Sequence, residues 1–208
     1  MKRNTRLEIL QTAKTLFNEK GFNAVSTRDI SNALGISKGN LSYYFKKKED
    51  IVEAILTEFP SSQPDAPKTM EELNAFFLDM QQVVQENAFY FWHHAQLSQL
   101  SPVIKEQQNQ VYHNNVVKLR AAFEILHEDG YLQEEGFEGQ YEQTIDTLLL
   151  SSIYWLPFCS LKMEAISEKG FQYKAWTILF PLLTESGKRE LESIFHALWH
   201  GFLCRDRV

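Results

Sequence analysis

The chain has 208 residues, a length that admits one or two domains with a sizeable core. Its two cysteines, Cys159 and Cys204, lie far apart, so no disulfide framework is implied and a reducing cytoplasm fits. The formal net charge of −6 is unevenly placed: residues 1–56 carry 10 basic and 6 acidic side chains (+4), the remainder 11 and 21 (−10), so an acidic chain holds a local basic footprint.

The basic start (Lys2, Arg3, Arg6) is interrupted by Glu8, Gln11 and Lys14 and does not form a signal peptide. A first helix is predicted over 5–20. Thr5 caps it with Glu8 three residues on, Ile9, Leu10, Ala13, Leu16 and Phe17 form its apolar stripe, and Gly21 stops it. Phe22 and Val25 continue into a core. Ser26 caps the next helix in a capping-box pattern with Asp29, Ile30, Ala33 and Leu34 give its apolar face, and Gly35 ends it in a left-handed turn. Ile36 plugs the turn and Ser37 caps a second short helix over 38–44. Two helices joined by a glycine-containing turn of three residues form a helix-turn-helix.

Leu41 and Phe45 lie i,i+4 apart and anchor the second helix, leaving Lys38, Asn40, Ser42, Tyr43 and Tyr44 around its free side. A cation, an amide and phenols on so short a helix suit a major groove: Lys reaches guanine acceptors, Asn pairs with adenine, Tyr meets phosphate or a thymine methyl. Lys46, Lys47 and Lys48 open the next helix, over about 48–59, where the dipole disfavours cations, and so point to an anionic partner.

This stretch resembles the DNA-binding domain of TetR-type transcriptional repressors. The matching residues are Thr27–Asp29, Ile30–Ser31, Ala33–Ser37, Gly39, Leu41–Phe45, Lys48–Glu49 and Ile51, and the resemblance covers roughly residues 5–56. It implies a homodimeric one-component regulator whose C-terminal domain senses a ligand. Ser42 stands where the family usually has a tyrosine that contacts DNA, and Ser31 replaces a usual alanine. On the residues and the resemblance together, the expected double-stranded-DNA interface is Thr27, Arg28, Lys38, Gly39, Asn40, Ser42, Tyr43, Tyr44 and Lys48. Tyr44 and Lys48 are expected on phosphate; Arg28, Lys38 and Asn40 on bases.

Residues 60–67 hold three prolines in eight residues and cannot continue a helix, which divides the chain into a head at 1–59, a linker at 60–67 and a body at 68–208. The body reads as helices at about 69–86, 88–100, 103–129, 140–164, 170–184 and 187–203, with no strand pattern, so the fold class is all-α. The strongly apolar uncharged run 147–161 contains Pro157, which implies a kink, and is shorter than the roughly 20 residues of a spanning helix. No membrane partner is expected. Large rings interleave with polar groups in the body, and a pocket for an unknown small-molecule effector is expected at Phe89, Trp92, His93, Gln96, Tyr112, Val116, Ser152, Trp155 and Cys159. In the family a cavity of this sort holds the inducer.

The apolar stripes Trp176, Phe180, Leu191, Phe195, Leu198 and Phe202 are expected to pair across a two-fold axis in a homodimer, which the resemblance places in a four-helix bundle. Glu192, His196, His200 and Cys204 share one helical stripe, but it spans about 18 Å at 1.5 Å per residue, too long for one ion, so no metal and no cofactor is expected. No nucleophile elbow, phosphate-binding glycine loop or HExxH motif is present, and no catalytic residue is assigned. The reading is a ligand-responsive repressor on an inverted-repeat operator. The alternatives are a helical enzyme or binding protein using the head as an interaction module, or a regulator controlled by a protein partner.

Overall fold

The computed structural model describes residues 4–58, 65–163 and 170–203; for 58 and 197–203 only the backbone is described. In chain order the helices are α1 (Thr5–Lys20), α2 (Thr27–Leu34), α3 (Lys38–Tyr44), α4 (Lys48–Glu58), α5 (Met70–Glu86) and α6 (Ala88–Trp92). They continue with α7 (His94–Leu100), α8 (Pro102–Glu128), α9 (Gln140–Leu161), α10 (Gly170–Leu179) and α11 (Glu185–Leu203). Among the described residues the extended pairing is a single isolated bridge, Leu132 to Leu183. The all-α expectation holds.

Local chemistry explains most boundaries. The cap of α1 is Asn4 rather than Thr5, its side chain accepting from the Leu7 N–H at 3.3 Å. Ser26 and Asp29 form the complete capping box of α2, Gly35 takes the left-handed conformation at φ 64°, and Ser37 caps α3. Two long segments break. The one expected at 88–100 parts at His93, whose φ of −117° and ψ of 17° leave the helical region. The one expected at 170–184 stops at Leu179, and Pro181 opens a 3-10 turn over Phe180–Leu182. By contrast α9 runs on through Pro157 and ends at Leu161. At 22 residues and a mean hydropathy of 1.2, α9 is by length and composition long and apolar enough to cross a membrane. The uncharged run understated it, because the helix begins at Gln140 and includes Glu142 and Asp146. Its buried residues, Tyr141, Ile145, Leu148, Leu149, Ser152, Trp155, Leu156 and Cys159, recur every three or four positions, as on a helix with one face packed on a core.

The chain divides into two compact units whose limits differ from the expected head, linker and body. Of the linker, 60–64 lie outside the described residues, as does Phe59; Asp65 to Lys68 are non-helical. The first unit draws on Met1–Gln63, Val83–Val111 and Leu156–Glu164. Its core gathers Ile9, Leu10, Ala13, Phe17, Phe22, Val25, Ile30, Leu41, Phe45, Ile51 and Ile55 from α1–α4, and adds Phe89, Leu97 and Ile104 from α6, α7 and α8. A three-helix head buries too little apolar surface alone, and these later residues supply the rest. Side-chain amides fasten them: Asn18 donates to the Glu86 carbonyl at 2.9 Å and accepts from the Phe89 N–H at 3.0 Å. Gln107 donates to Thr57 at 2.6 Å, and Ser101 bonds Glu53.

The second unit draws on Pro64–Gln82, Tyr112–Trp155 and Ala165–Val208. Phe77, Leu119, Phe123, Leu126, Leu148, Trp155, Phe171, Trp176 and Leu179 are buried in it. A polar seam joins α5 to α10. Gln81 on α5 accepts from the N–H groups of Phe171 and Gln172 at 3.0 and 3.4 Å, satisfying orphan donors at the start of α10. Asn74, two turns earlier, accepts from the Trp176 indole at 2.9 Å and from the Gln172 amide. Where α11 begins, a Cβ on Gly187 would stand 2.3 Å from the Tyr131 carbonyl oxygen, so only glycine permits that approach.

Candidate nucleic-acid interface

The helix α3 is held from beneath. Leu41 and Phe45 are buried, and the Arg6 guanidinium of α1 lies 5.3 Å from the centre of the Phe45 ring. Its outer side presents Lys38, Gly39, Asn40, Tyr43 and Tyr44, all exposed, with Ser42 half-buried. Tyr43 is 78% exposed and meets Tyr44 edge to face at 5.2 Å. Two phenols beside a cation and an amide are side chains that can meet base edges and phosphates in a major groove.

On α2, Arg28 is exposed and Thr27 half-buried. The expected apolar face is corrected here: Ala33 is exposed, and Ser31 is buried, its hydroxyl donating to the Arg28 carbonyl at 2.9 Å. A serine tolerates that place because its polar group has a partner within the helix. Hydrogen bonds from the Ser26 side chain and backbone hold the Asp29 carboxyl below the usual carboxylate range. The capping box is therefore intact at neutral pH and is lost as pH falls through that lowered value.

A cleft of about 380 Å³ opens beside α2, lined by Asn23, Ala24, Val25, Ser26, Thr27, Lys46, Lys47 and Lys48. The Lys46 and Lys47 N–H groups are taken by the Asp50 carboxylate at 3.0 and 3.1 Å, while their side chains are exposed. Lys48 departs from the phosphate role expected of it. Its ammonium turns inward, donates to the carbonyls of Phe22 at 2.7 Å and Val25 at 2.9 Å, and sits 4.0 Å from the Phe22 ring centre. Burial pushes its pKa down, but the ammonium remains the donor of both bonds.

The residues expected to line one pocket are divided. Phe89, Trp92, His93, Gln96 and Cys159 belong to the first unit and Tyr112, Val116, Ser152 and Trp155 to the second. Phe89 is core beneath the reader, 5.4 Å from Phe17 ring to ring, because α1 offers it the apolar surface it lacks elsewhere. Gln96 exchanges two amide hydrogen bonds with Asn23, at 3.2 and 3.0 Å, and His93 Nδ1 lies 3.2 Å from the same Gln96 oxygen. His93 and Gln96 thus tie α7 to the turn between α1 and α2 instead of orienting a ligand. Trp92 is exposed and Cys159 buried. In the second unit Trp155 is buried against Phe171, Val116 is half-buried, Ser152 donates to the Leu149 carbonyl at 2.8 Å, and Tyr112 donates to Asp146 at 2.7 Å.

Of the expected dimer face, Trp176 is only 2% exposed and belongs to the subunit's own core through Asn74 and Phe77. Its indole N–H needs a buried acceptor, and α5 provides one. Phe180 is exposed, Leu191 buried, and Phe195 half-buried and stacked flat on Tyr173 at 5.1 Å. Together with Pro181 and Lys188 they edge a groove of about 350 Å³. The side chains of Leu198 and Phe202 lie outside the described residues, as do those of His200 and Cys204 from the stripe weighed for a metal. Among the described residues no group of three metal-ligating side chains occurs. The Asn23–Gln96 exchange and the Asn74–Gln172 seam had no signal in the sequence, since amides at those positions leave the apolar periodicity unchanged.

Capped helices joined by a tight turn, each anchored by buried residues and the second presenting a cation, an amide and two phenols, define a helix-turn-helix DNA-binding protein. The sequence profile of bacterial regulatory proteins of the tetR family matches residues 9–55, and that of the TetR bacterial transcriptional repressors matches 52–191. The chain belongs to the TetR family of transcriptional regulators and is not an enzyme. Along 94% of its length it is 25% identical to the probable HTH-type transcriptional regulator YttP of Bacillus subtilis, covering 96% of that protein. It is 44% identical to the HTH-type transcriptional repressor KstR2 of Mycolicibacterium smegmatis, over 54 residues that make up 26% of each chain. A TetR-family regulator from Marinobacter aquaeolei VT8 shares the fold with a TM-score of 0.81 at 23% identity, over 93% of this chain and 98% of that one. So does SmeT in its complex with triclosan, with a TM-score of 0.59 at 17% identity over 88% and 93% of the two chains.

Proposed function

We propose that the protein is a cytoplasmic repressor that binds an inverted-repeat operator as a homodimer and is released by a small apolar or amphipathic effector. The observation that carries the DNA reading is the exposed side of α3, which displays Lys38 and Asn40 to solvent beside Tyr43. Repressor function is in keeping with the KstR2 relatives, which share the reader stretch. In a selection from random-sequence duplexes, Asn40→Ala should relax preference at one base pair per half-site, a loss of about 1–3 kcal/mol of discrimination. An unchanged selected sequence would remove Asn40 from base readout.

Assembly rests on the groove around Phe180, Leu191 and Phe195, where the exposed Phe180 ring and the half-buried Phe195 ring border solvent. Phe180 is 50% exposed, so Phe180→Glu spares the subunit's core and places a charge in the proposed interface. Light scattering should then report monomer, with operator affinity reduced at least tenfold through loss of the second head. A stable dimer of Phe180→Glu would move the interface elsewhere.

For the effector, the second unit offers the rings of Phe77, Trp155, Phe171 and Trp176 threaded by the amide seam. Within that seam the buried Gln172 Oε1 is without a hydrogen-bond partner among the described residues. The arrangement suits a mostly apolar molecule bearing one N–H or O–H donor. SmeT, a neighbour in fold, holds triclosan, a precedent for the class. A small-molecule screen by thermal shift tests this reading. Release of operator DNA only by a protein partner would replace it.

A further inference from the structure

We propose that Lys48 is a positioning residue of the reader: its ammonium locks the turn between α1 and α2 to the first residue of α4, and Lys46 and Lys47 carry the phosphate charge of this face. This rests on the operator-binding reading above.

An ammonium has three donors and no acceptor. Two donors of Lys48 reach the Phe22 and Val25 carbonyls at 2.7 and 2.9 Å, and its charge lies over the Phe22 ring. Both carbonyls belong to the segment that leaves α1 after Gly21 and delivers Ser26, the cap of α2. Carbonyls just past a helix end attract a cation, as the negative end of the dipole does. From the other side, Asp50 accepts the Lys46 and Lys47 N–H groups, so the turn before α4 is pinned in front by a carboxylate and behind by an ammonium. The cation at the start of α4 is unfavourable for that helix's own dipole, yet favourable for the carbonyls of the neighbouring turn. To reach a phosphate, Lys48 would have to abandon both carbonyls and the ring. Lys46 and Lys47 line the same cleft with exposed side chains.

The roles separate in the salt dependence of binding. The probes are a duplex enriched from a random-sequence pool and a scrambled duplex of equal length. Each phosphate contact contributes about 0.9 to the slope of log affinity against log salt. Lys46→Gln and Lys47→Gln should each lower the slope by about 0.9 per head, or roughly 1.8 for two heads, with the ratio of enriched to scrambled affinity unchanged. Lys48→Met, which keeps an unbranched stem against Phe22, should leave the slope in place and lower that ratio on the order of tenfold, because the loosened turn no longer sets α2 and α3. A slope that falls by about 0.9 per head in Lys48→Met with its ratio intact would make Lys48 a phosphate ligand and overturn the proposal. So would unchanged slopes in both glutamine variants.

Reductive methylation of the wild-type protein, read by mass spectrometry, decides the matter if Lys48→Met does not fold. Lys48 should be protected with and without duplex, while Lys46 and Lys47 react in the free protein and are shielded by DNA. Equal reactivity of all three in the free protein would overturn the lock. If no duplex is enriched, the operator reading fails, and labelling of the free protein still tests the lock.

Discussion

Phe17→Ala is expected to destabilise the first unit by about 3–5 kcal/mol and to abolish DNA binding near physiological temperature. Phe17 has no solvent exposure, and its ring meets Phe22 at 5.5 Å and Phe89 at 5.4 Å. It therefore stands where α1, the turn toward α2 and the later helix α6 converge, and its removal leaves a cavity with rigid rings around it. Helices and rings packed at interior density relax only in part, which places the cost at the upper end for such a truncation. The check is denaturant unfolding followed through hydrogen exchange of α1–α4 amides. A loss below 1 kcal/mol would show that Phe89 moves in to fill the space and that the later helix is not a fixed part of the reader's core.

Asn74→Ala is expected to cost the second unit about 2–5 kcal/mol, more than its small volume implies. Asn74 Oδ1 is the acceptor for the Trp176 indole and the Gln172 amide, and all three side chains are buried. Truncation leaves two donors without partners in a place water does not reach freely, each carrying a desolvation penalty. Replacing Trp176 by Phe in the same background should return part of the loss, since one of the stranded donors is then gone. A double variant no more stable than Asn74→Ala would mean that the cost arises from the cavity, with the seam playing no part.

The two variants mark how far the amino-acid sequence could be read. The reader was legible because its determinants are local: Ser26 and Asp29 cap within three residues, Gly35 alone relieves the left-handed turn, and Leu41 and Phe45 repeat at helical spacing. Exposure of Lys38, Asn40 and Tyr43 followed, since a short helix with two anchors leaves its other side to solvent. The same logic failed at Ala33 and Ser31, where a serine took the inner place by bonding its own helix.

Side chains whose roles depend on distant partners were not legible. Lysine at 48 reads as a phosphate ligand from its neighbours in sequence, and only the folded turn reveals two carbonyls 26 and 23 residues earlier within its reach. His93 and Gln96 read as pocket donors until Asn23 is seen to exchange hydrogen bonds with Gln96, 73 residues apart. Trp176 reads as interface until Asn74 claims its indole. Helix type, the caps at Ser26 and Ser37 and most apolar faces were determined by the sequence itself because each is settled within one or two turns of chain. The membership of each compact unit, the inward turn of Lys48 and the amide seam were decided only by tertiary structure, because a buried donor takes whichever acceptor the packing brings near, and periodicity carries no record of which one that is.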